Sequence, residues 1–126
     1  MAAWQGLTRW RPYALSVLRV VVGYLFLWHG YDKFGNGVAL LTLPGLAMLL
    51  ELAGGVLLVL GLFTRPVAFV LSGEMAFAYF LAHAPSGHAL VPLSNGGDLA
   101  VTWCFLFLYF VFAGGGVWAL DNLRGR

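Results

Sequence analysis

Three charged residues lie within stretches of sequence that are long and apolar enough to cross a membrane. Arg19 stands in VLRVVVGYLFLW, Glu51 in LAMLLELAGGVLLVLG and Glu74 in FVLSGEMAFAYF. A charge at bilayer depth costs at least about 2.5–3.5 kcal/mol, and residues of this kind usually face a bundle interior or a cavity. A carboxyl group held there can exchange protons or hydrogen-bond a carbonyl ligand. These three residues are therefore the candidates for catalytic chemistry.

Their depths along the predicted helices suggest how the three charges are matched. An unpaired guanidinium inside a bundle is too costly, so Arg19 is expected to have at least one carboxylate partner. Glu74 is the expected partner, and Glu51 is the alternative. Such a pair could serve only to fix the register of the helices. The second glutamate would then have no cation, and that carboxyl group would be suited to proton exchange or ligand binding.

A second group of polar residues is predicted near the other end of the helices. Together with the three interior charges, its members are the candidate ligand-binding residues: His29, Lys33, His83, Asn95 and Asp98. A regular helix would place His83 half a turn away from Glu74, so these two are not expected to share a site. The spacing matches no standard zinc pattern, because paired cysteines and an HxxxH sequence are both missing, and no metal is predicted.

The composition indicates an integral membrane protein that contacts the lipid bilayer. The chain has 126 residues, of which 61% are hydrophobic and 10% are charged, whereas soluble domains carry about 25% charged residues. A single cysteine, Cys104, excludes an intrachain disulfide and a CxxC redox pair. No basic patch with interleaved aromatic residues occurs, so nucleic acid is not an expected partner.

Four apolar runs approach or reach the roughly 20 residues that a spanning helix needs. They cover residues 13–33, 43–62, 66–84 and 97–119. Small residues let helices in lipid approach closely, and the buried charges share helix faces with glycines such as Gly23 and Gly54. The expected fold is all-α: one domain over residues 1–126 that forms a four-transmembrane-helix antiparallel bundle.

The distribution of positive charge predicts the orientation of this bundle. With four spans, one end of the bundle carries five arginines: Arg9, Arg11, Arg65, Arg124 and Arg126. The other end carries only Lys33. The positive-inside rule then places both termini in the cytoplasm.

Three segments resemble the DoxX family of small four-helix membrane proteins. They are LRVVVGYLFLWHGYDKFG, ELAGGVLLVLGLFTRPVAFVLSGEMAFAYFLAHAPSG and PLSNGGDLAVTWCFLFLYFVFAGGGVWALD. The similarity covers roughly residues 15–121 and implies a bacterial plasma (inner) membrane protein. The family pattern marks these residues: Arg19, His29, Gly30, Lys33, Glu51, Gly54, Gly55, His83, Asn95, Gly96 and Asp98. Asp98 replaces a frequent glutamate, and Gly-Gly-Gly replaces a common Gly-Pro-Gly.

The resemblance also implies a function. Some DoxX relatives are subunits of a thiosulfate:quinone oxidoreductase, and others are linked to membrane oxidoreductase complexes or redox-stress responses. The implied function is a quinone-interacting subunit in which Arg19, His29, Glu51 and either Tyr24 or Tyr79 contact the quinone head group. Quinone is the candidate cofactor, and no covalently bound cofactor is expected. With no flavin, haem or iron–sulfur motif in the sequence, electrons would enter from a partner or from an unrecognised substrate.

Two other functions remain open at this point. The protein could be a non-catalytic assembly or scaffold subunit, in which the buried charges only hold the bundle together. It could also be a proton-coupled small-molecule transporter, which four short helices would form only as a homo-oligomer. In each case the expected protein partner is another subunit or a second copy of this chain.

Overall fold

The structure, a computed structural model, describes residues 2–124, and helices are the only regular secondary structure over that range. Four long helices dominate it: α1 (Arg11–Gly35), α2 (Leu43–Leu60), α3 (Thr64–Ala78) and α4 (Asp98–Ala113). Three helical stretches are long and apolar enough to cross a membrane, namely Ala2–Gly35, Leu43–Leu60 and Thr64–Ser86. The predicted all-α class is confirmed. Arg126, one of the predicted end arginines, lies outside the described residues.

The beginnings and ends of the first three helices follow local sequence signals. Two short helical turns, Ala2–Gln5 and Gly6–Trp10, precede α1. The side chain of Thr42 accepts a hydrogen bond from the Gly45 N–H and caps the start of α2. Gly61, at φ 70°, ends α2, because glycine takes the left-handed conformation without steric cost. The α2–α3 connection is as short as the sequence predicts.

The fourth helix is shorter than its apolar run. It ends at Ala113, whereas the sequence predicts a helix to residue 119, and it has 16 residues. Gly114 and Gly116 adopt φ values of 78° and 84°, which turn the chain out of the helix. The following segment folds back against α1 and the end of α2. A run of apolar residues therefore continues past the point where the helix stops.

The third helix changes its winding near its end. After Ala78 the chain continues through a π turn, Tyr79–His83, and a 3₁₀ turn, Ala84–Ser86. A π turn has more residues per turn than an α-helix, and π turns are frequent at functional sites. Side chains beyond Ala78 consequently point in directions that a regular helix would not give them.

The helices pack as two close pairs, α1 with α2 and α3 with α4, while α2 and α3 contact each other less. The shared core contains Val22, Phe26, Leu58, Ala68, Leu71, Trp103, Phe107 and Phe110. We call the end of the bundle where α1 ends and α2 begins the Lys33 end. The opposite end, which contains Gly61 and Gly114, is the Arg19 end.

Glycines let the backbones of α1 and α2 touch. A Cβ atom on Gly23 would lie 2.9 Å from the Val59 nitrogen and 3.0 Å from the Gly55 oxygen. Both neighbours are backbone atoms, so they cannot move away without separating the helices. The prediction that glycines mark the packed face of these helices is confirmed at Gly23 and Gly55.

Replacing Gly23 with alanine is expected to lower the free energy of unfolding by roughly 1–3 kcal/mol, the usual cost of overpacking. Gly73→Ala is the matched control, because a Cβ at Gly73 meets no atom within 4 Å and alanine favours a helix by about 1 kcal/mol over glycine. Unfolding in detergent, followed by circular dichroism, measures both. Equal stability of the two variants would contradict the close approach of α1 and α2.

Candidate functional site

A cavity of about 760 Å³ lies between all four long helices in the half of the bundle near the Lys33 end. Its walls are mainly apolar and include Phe26, Leu50, Phe77 and Trp103. Five polar or charged side chains that the sequence singles out also line it: His29, Lys33, Glu51, Glu74 and His83. The structure thus brings together residues that the sequence assigned to two separate groups.

Glu51 forms an ion pair with Lys33 and not with Arg19. The Lys33 Nζ atom lies 2.5 Å from Glu51 Oε1, and the two side chains are 33% and 3% exposed, respectively. The expectation that Lys33 belongs to a separate outer cluster is wrong, because its long side chain reaches back along α1 into the bundle. The second oxygen, Glu51 Oε2, is buried and has no hydrogen-bond partner among the described residues.

Glu74 faces the same cavity from α3. Both of its carboxyl oxygens are buried and have no hydrogen-bond partner within the described part of the chain. It lies within electrostatic range of both Glu51 and Lys33. The cavity therefore contains two carboxyl groups but a single lysine ammonium group, and that ammonium group is bound to Glu51. Glu74 is thus the glutamate that has no cation partner among the described residues.

Two histidines line the cavity together with Glu74. The His29 ring packs against Trp103, with 5.6 Å between ring centroids and an angle of 82° between the planes. His83 comes from the π turn that follows α3. The expectation that His83 and Glu74 do not share a site is wrong, because this turn rotates His83 away from its regular helical position.

The two remaining candidates lie outside the cavity. Asn95 is buried and donates hydrogen bonds to the Tyr79 hydroxyl, at 3.1 Å, and to the His88 carbonyl, at 3.3 Å. Its side-chain oxygen accepts a bond from the Gly97 N–H. Asn95 thus shapes the loop before α4. Asp98 is exposed in the first turn of α4.

Arg19 is buried at the Arg19 end, where backbone carbonyls surround its guanidinium group. Its Nε atom donates to the Gly115 oxygen at 2.7 Å, and its Nη1 atom donates to the oxygens of Leu58, at 2.5 Å, and Val59, at 2.7 Å. The predicted pairing with Glu74 or Glu51 is wrong. The last carbonyls of a helix lack intrahelical partners and carry partial negative charge, so the end of α2 takes the place of a carboxylate.

Further hydrogen bonds that the sequence did not predict hold the same end together. The Asp121 carboxylate accepts bonds from the backbone N–H groups of Phe63, at 2.7 Å, and Thr64, at 2.9 Å, and so caps α3. Arg65 donates to the carbonyls of Val111 and Phe112 at the end of α4. The sequence contained one signal for the Asp121 cap. A helix that starts directly after a tight turn, as α3 does, needs a capping group.

Replacing Arg19 with leucine is expected to lower the free energy of unfolding by roughly 1.5–3 kcal/mol, as for other hydrogen bonds to a charged group. Arg9→Leu is the control, since Arg9 is exposed. A double-mutant cycle between Arg19→Leu and Glu74→Gln should show additive effects, because the two side chains share no partner. A coupling energy above about 1 kcal/mol would show that Arg19 and Glu74 interact, and it would contradict the assignment of Arg19 to backbone carbonyls.

The capping carboxylate of Asp121 should make the stability of the fold depend on pH in the acid range. Burial raises the pKa of its carboxyl group, but hydrogen bonds from Thr64 and Phe63 and the charge of Arg124 outweigh this and hold the pKa below its ordinary value. A lowered pKa stabilises the fold fully above the unfolded value of about 3.9, and this stabilisation is lost as the pH falls through the folded value. Asp121→Asn should remove that part of the pH dependence. Parallel pH–stability curves for the two proteins would contradict the cap.

Comparison with known proteins places this architecture in a family. The family model for DoxX matches residues 14–84. A protein from Haemophilus influenzae, described as an uncharacterized protein, is 48% identical over 126 aligned residues, which cover 92% of this chain and 94% of the relative. No solved structure matches the chain at a significant level. With its apolar helices and this match, the chain is an integral membrane protein of the DoxX family.

Proposed function

We propose that this DoxX-family protein is a quinone-interacting subunit of a membrane oxidoreductase or redox-stress system. The observation that carries the proposal is a mainly apolar cavity that contains a half-buried Lys33–Glu51 pair and Glu74, whose carboxyl oxygens have no partner among the described residues. A ligand site is typically an apolar pocket with a few placed polar groups. This combination suits an aromatic ring that carries oxygen atoms.

The cavity also has an opening that suits a lipid-soluble ligand. Three residues that line it are exposed on the surface of the bundle: Leu46 on α2 is 53% exposed, and Val70 and Phe77 on α3 are 49% and 65% exposed. The cavity therefore reaches the apolar surface of the bundle in the half near the Lys33 end. All three side chains are apolar, so a quinone could enter sideways from the hydrocarbon region of the bilayer.

The proposal includes the orientation of the four helices in the membrane. The α4 helix packs along α3 and buries Trp103, Phe107 and Phe110 in the common core, which supports four helices that cross the membrane together. Arg65 and Arg124 lie at the Arg19 end. The positive-inside rule then puts that end, and both termini, in the cytoplasm of a bacterium. The cavity would face the outer half of the plasma membrane.

The residues in the cavity fit a quinone head group. Phe26, Phe77 and Trp103 provide flat apolar walls, Lys33 and His29 provide hydrogen-bond donors for a carbonyl oxygen, and Glu74 can hold a proton. A bound quinone would supply the two-electron chemistry, and a partner subunit would supply the electrons. Arg19, which the resemblance assigned to the head group, is committed to backbone carbonyls.

Neither tyrosine proposed for the head group lines the cavity. Tyr79 is buried and donates its hydroxyl hydrogen bond to the Ala89 carbonyl. Tyr24 is exposed on α1 and packs edge-on against Trp28. The polar contacts to a quinone therefore come from α1, α2 and α3 through His29, Lys33 and the two glutamates.

Two observations bear on the alternative functions, a scaffold subunit and a proton-coupled transporter. The hydrogen bonds of Arg19 support a purely structural role for that residue, but a scaffold function gives no reason for unpaired carboxyl oxygens beside an open cavity. A transport pathway through one copy of the chain would have to pass the core residues Leu58, Leu71 and Phe110, which lie between the cavity and the Arg19 end. Quinone binding accounts for more of the structure.

The test is to fill the cavity. Gly73 lines it, and a side chain added there meets no atom within 4 Å, so Gly73→Leu should fold normally and occupy the ligand's space. We expect the purified wild-type protein to bind decylubiquinone in lipid nanodiscs, as measured by equilibrium dialysis. Gly73→Leu should bind it at least about tenfold more weakly, because the ligand loses the burial of a few methylene groups when leucine occupies part of the cavity.

Gly35→Leu is the control, because Gly35 also has open space around it but lies outside this cavity. It should bind decylubiquinone as the wild type does. No binding by the wild-type protein, or equal binding by Gly73→Leu, would contradict the proposal.

A further inference from the structure

The fully buried side-chain atoms of the cavity that have no hydrogen-bond partner among the described residues are all carboxyl oxygens. They are Glu51 Oε2 and both oxygens of Glu74. The Lys33 ammonium group donates to Glu51 Oε1 at 2.5 Å and to none of these three oxygens. A buried acceptor without a donor costs about 1–3 kcal/mol, and more when it is charged. The site therefore favours a ligand that brings donors.

The two glutamates face the cavity from different helices. Glu51 belongs to α2 and Glu74 to α3, and both line the cavity. A ligand with a donor on each of two opposite edges could satisfy both at once.

The reduced and oxidised forms of a quinone differ in this property. The oxidised form has two carbonyl oxygens, which only accept hydrogen bonds, whereas the hydroquinone form has two hydroxyl groups on opposite edges of the ring, which donate. We propose that the cavity binds the hydroquinone form in preference to the quinone form, with Glu51 Oε2 and Glu74 as acceptors for its two hydroxyls. This inference rests on the proposed function and names the redox state of its ligand.

Protonation of Glu74 does not reverse the preference. A proton on Glu74 would supply one donor to the cavity, but the three carboxyl oxygens would still offer two acceptor positions, so acceptors would outnumber that donor. Lys33 and His29 can donate to a carbonyl oxygen, so the oxidised form is still able to bind. It leaves the carboxyl oxygens unsatisfied, and its affinity is lower for that reason.

Equilibrium dialysis under anaerobic conditions tests the inference on the wild-type protein in nanodiscs. The probes are decylubiquinol, decylubiquinone and the dimethyl ether of decylubiquinol, which keeps the aromatic ring and tail of the quinol but has methoxy groups in place of the hydroxyl donors. We expect decylubiquinol to bind at least about tenfold more tightly than either of the others, because hydrogen bonds to charged groups are the stronger kind.

Variants identify the acceptors. Glu74→Gln should reduce the preference for decylubiquinol several-fold, and Glu51→Gln is the second variant in case the first does not fold. Asp98→Asn makes the same chemical change on an exposed carboxylate outside the cavity and should leave the preference intact.

The outcomes separate the inference from the function on which it rests. Equal or tighter binding of decylubiquinone, or equal binding of the dimethyl ether, would overturn the inference but leave quinone binding in place. A preference that survives in both glutamate variants would overturn the assignment of Glu51 and Glu74. If none of the three probes binds, the proposed function fails together with the inference.

Discussion

The three hydrogen bonds of Arg19 to backbone carbonyls are the interaction on which the rest of this bundle depends. Lipid cannot supply partners for a buried guanidinium group, so the protein must do so. The end of α2 offers two carbonyls, and the chain that returns after α4 offers a third, at Gly115. Because one side chain joins α1, α2 and the C-terminal segment, the end of the bundle is fixed without any buried carboxylate.

This arrangement leaves both buried glutamates available in the other half of the molecule. Glu51 is paired with Lys33, and Glu74 has no partner in the part of the chain that the structure describes. Had Arg19 been paired with Glu74, as the depths along the helices suggested, the polar groups would have neutralised one another inside the core. Instead, three of the four buried side-chain oxygens that have no partner among the described residues belong to Glu51 and Glu74 and lie beside one cavity, while the fourth, Thr64 Oγ1, lies at the Arg19 end. This concentration of unsatisfied carboxyl oxygens supports ligand binding at the Lys33 end.

Much of the fold could be predicted from the sequence, and the failures have physical causes. The helical class and the close approach at Gly23 and Gly55 follow from composition and helix periodicity. The partners of Arg19 do not, because comparing depths considers only side chains, whereas here the partners are backbone carbonyls exposed by the end of a helix. Lys33 was misplaced because its Cα atom, not the end of its side chain, sets its apparent depth. His83 was misplaced because a π turn interrupts the regular winding.

The hydrogen bonds at the Arg19 end also bear on where the cavity opens. At the Arg19 end, Asp121 holds the amides of Phe63 and Thr64, and backbone bonds join Leu60 and Gly61 to Leu120 and Asp121. These bonds fix the turn between α2 and α3 but do not extend to the far ends of the two helices. There the helices can separate without breaking a backbone hydrogen bond, since each helix satisfies its own backbone internally. An opening at the Lys33 end is thus compatible with a stable bundle, and that end of the cavity also contains the three carboxyl oxygens that have no donor among the described residues.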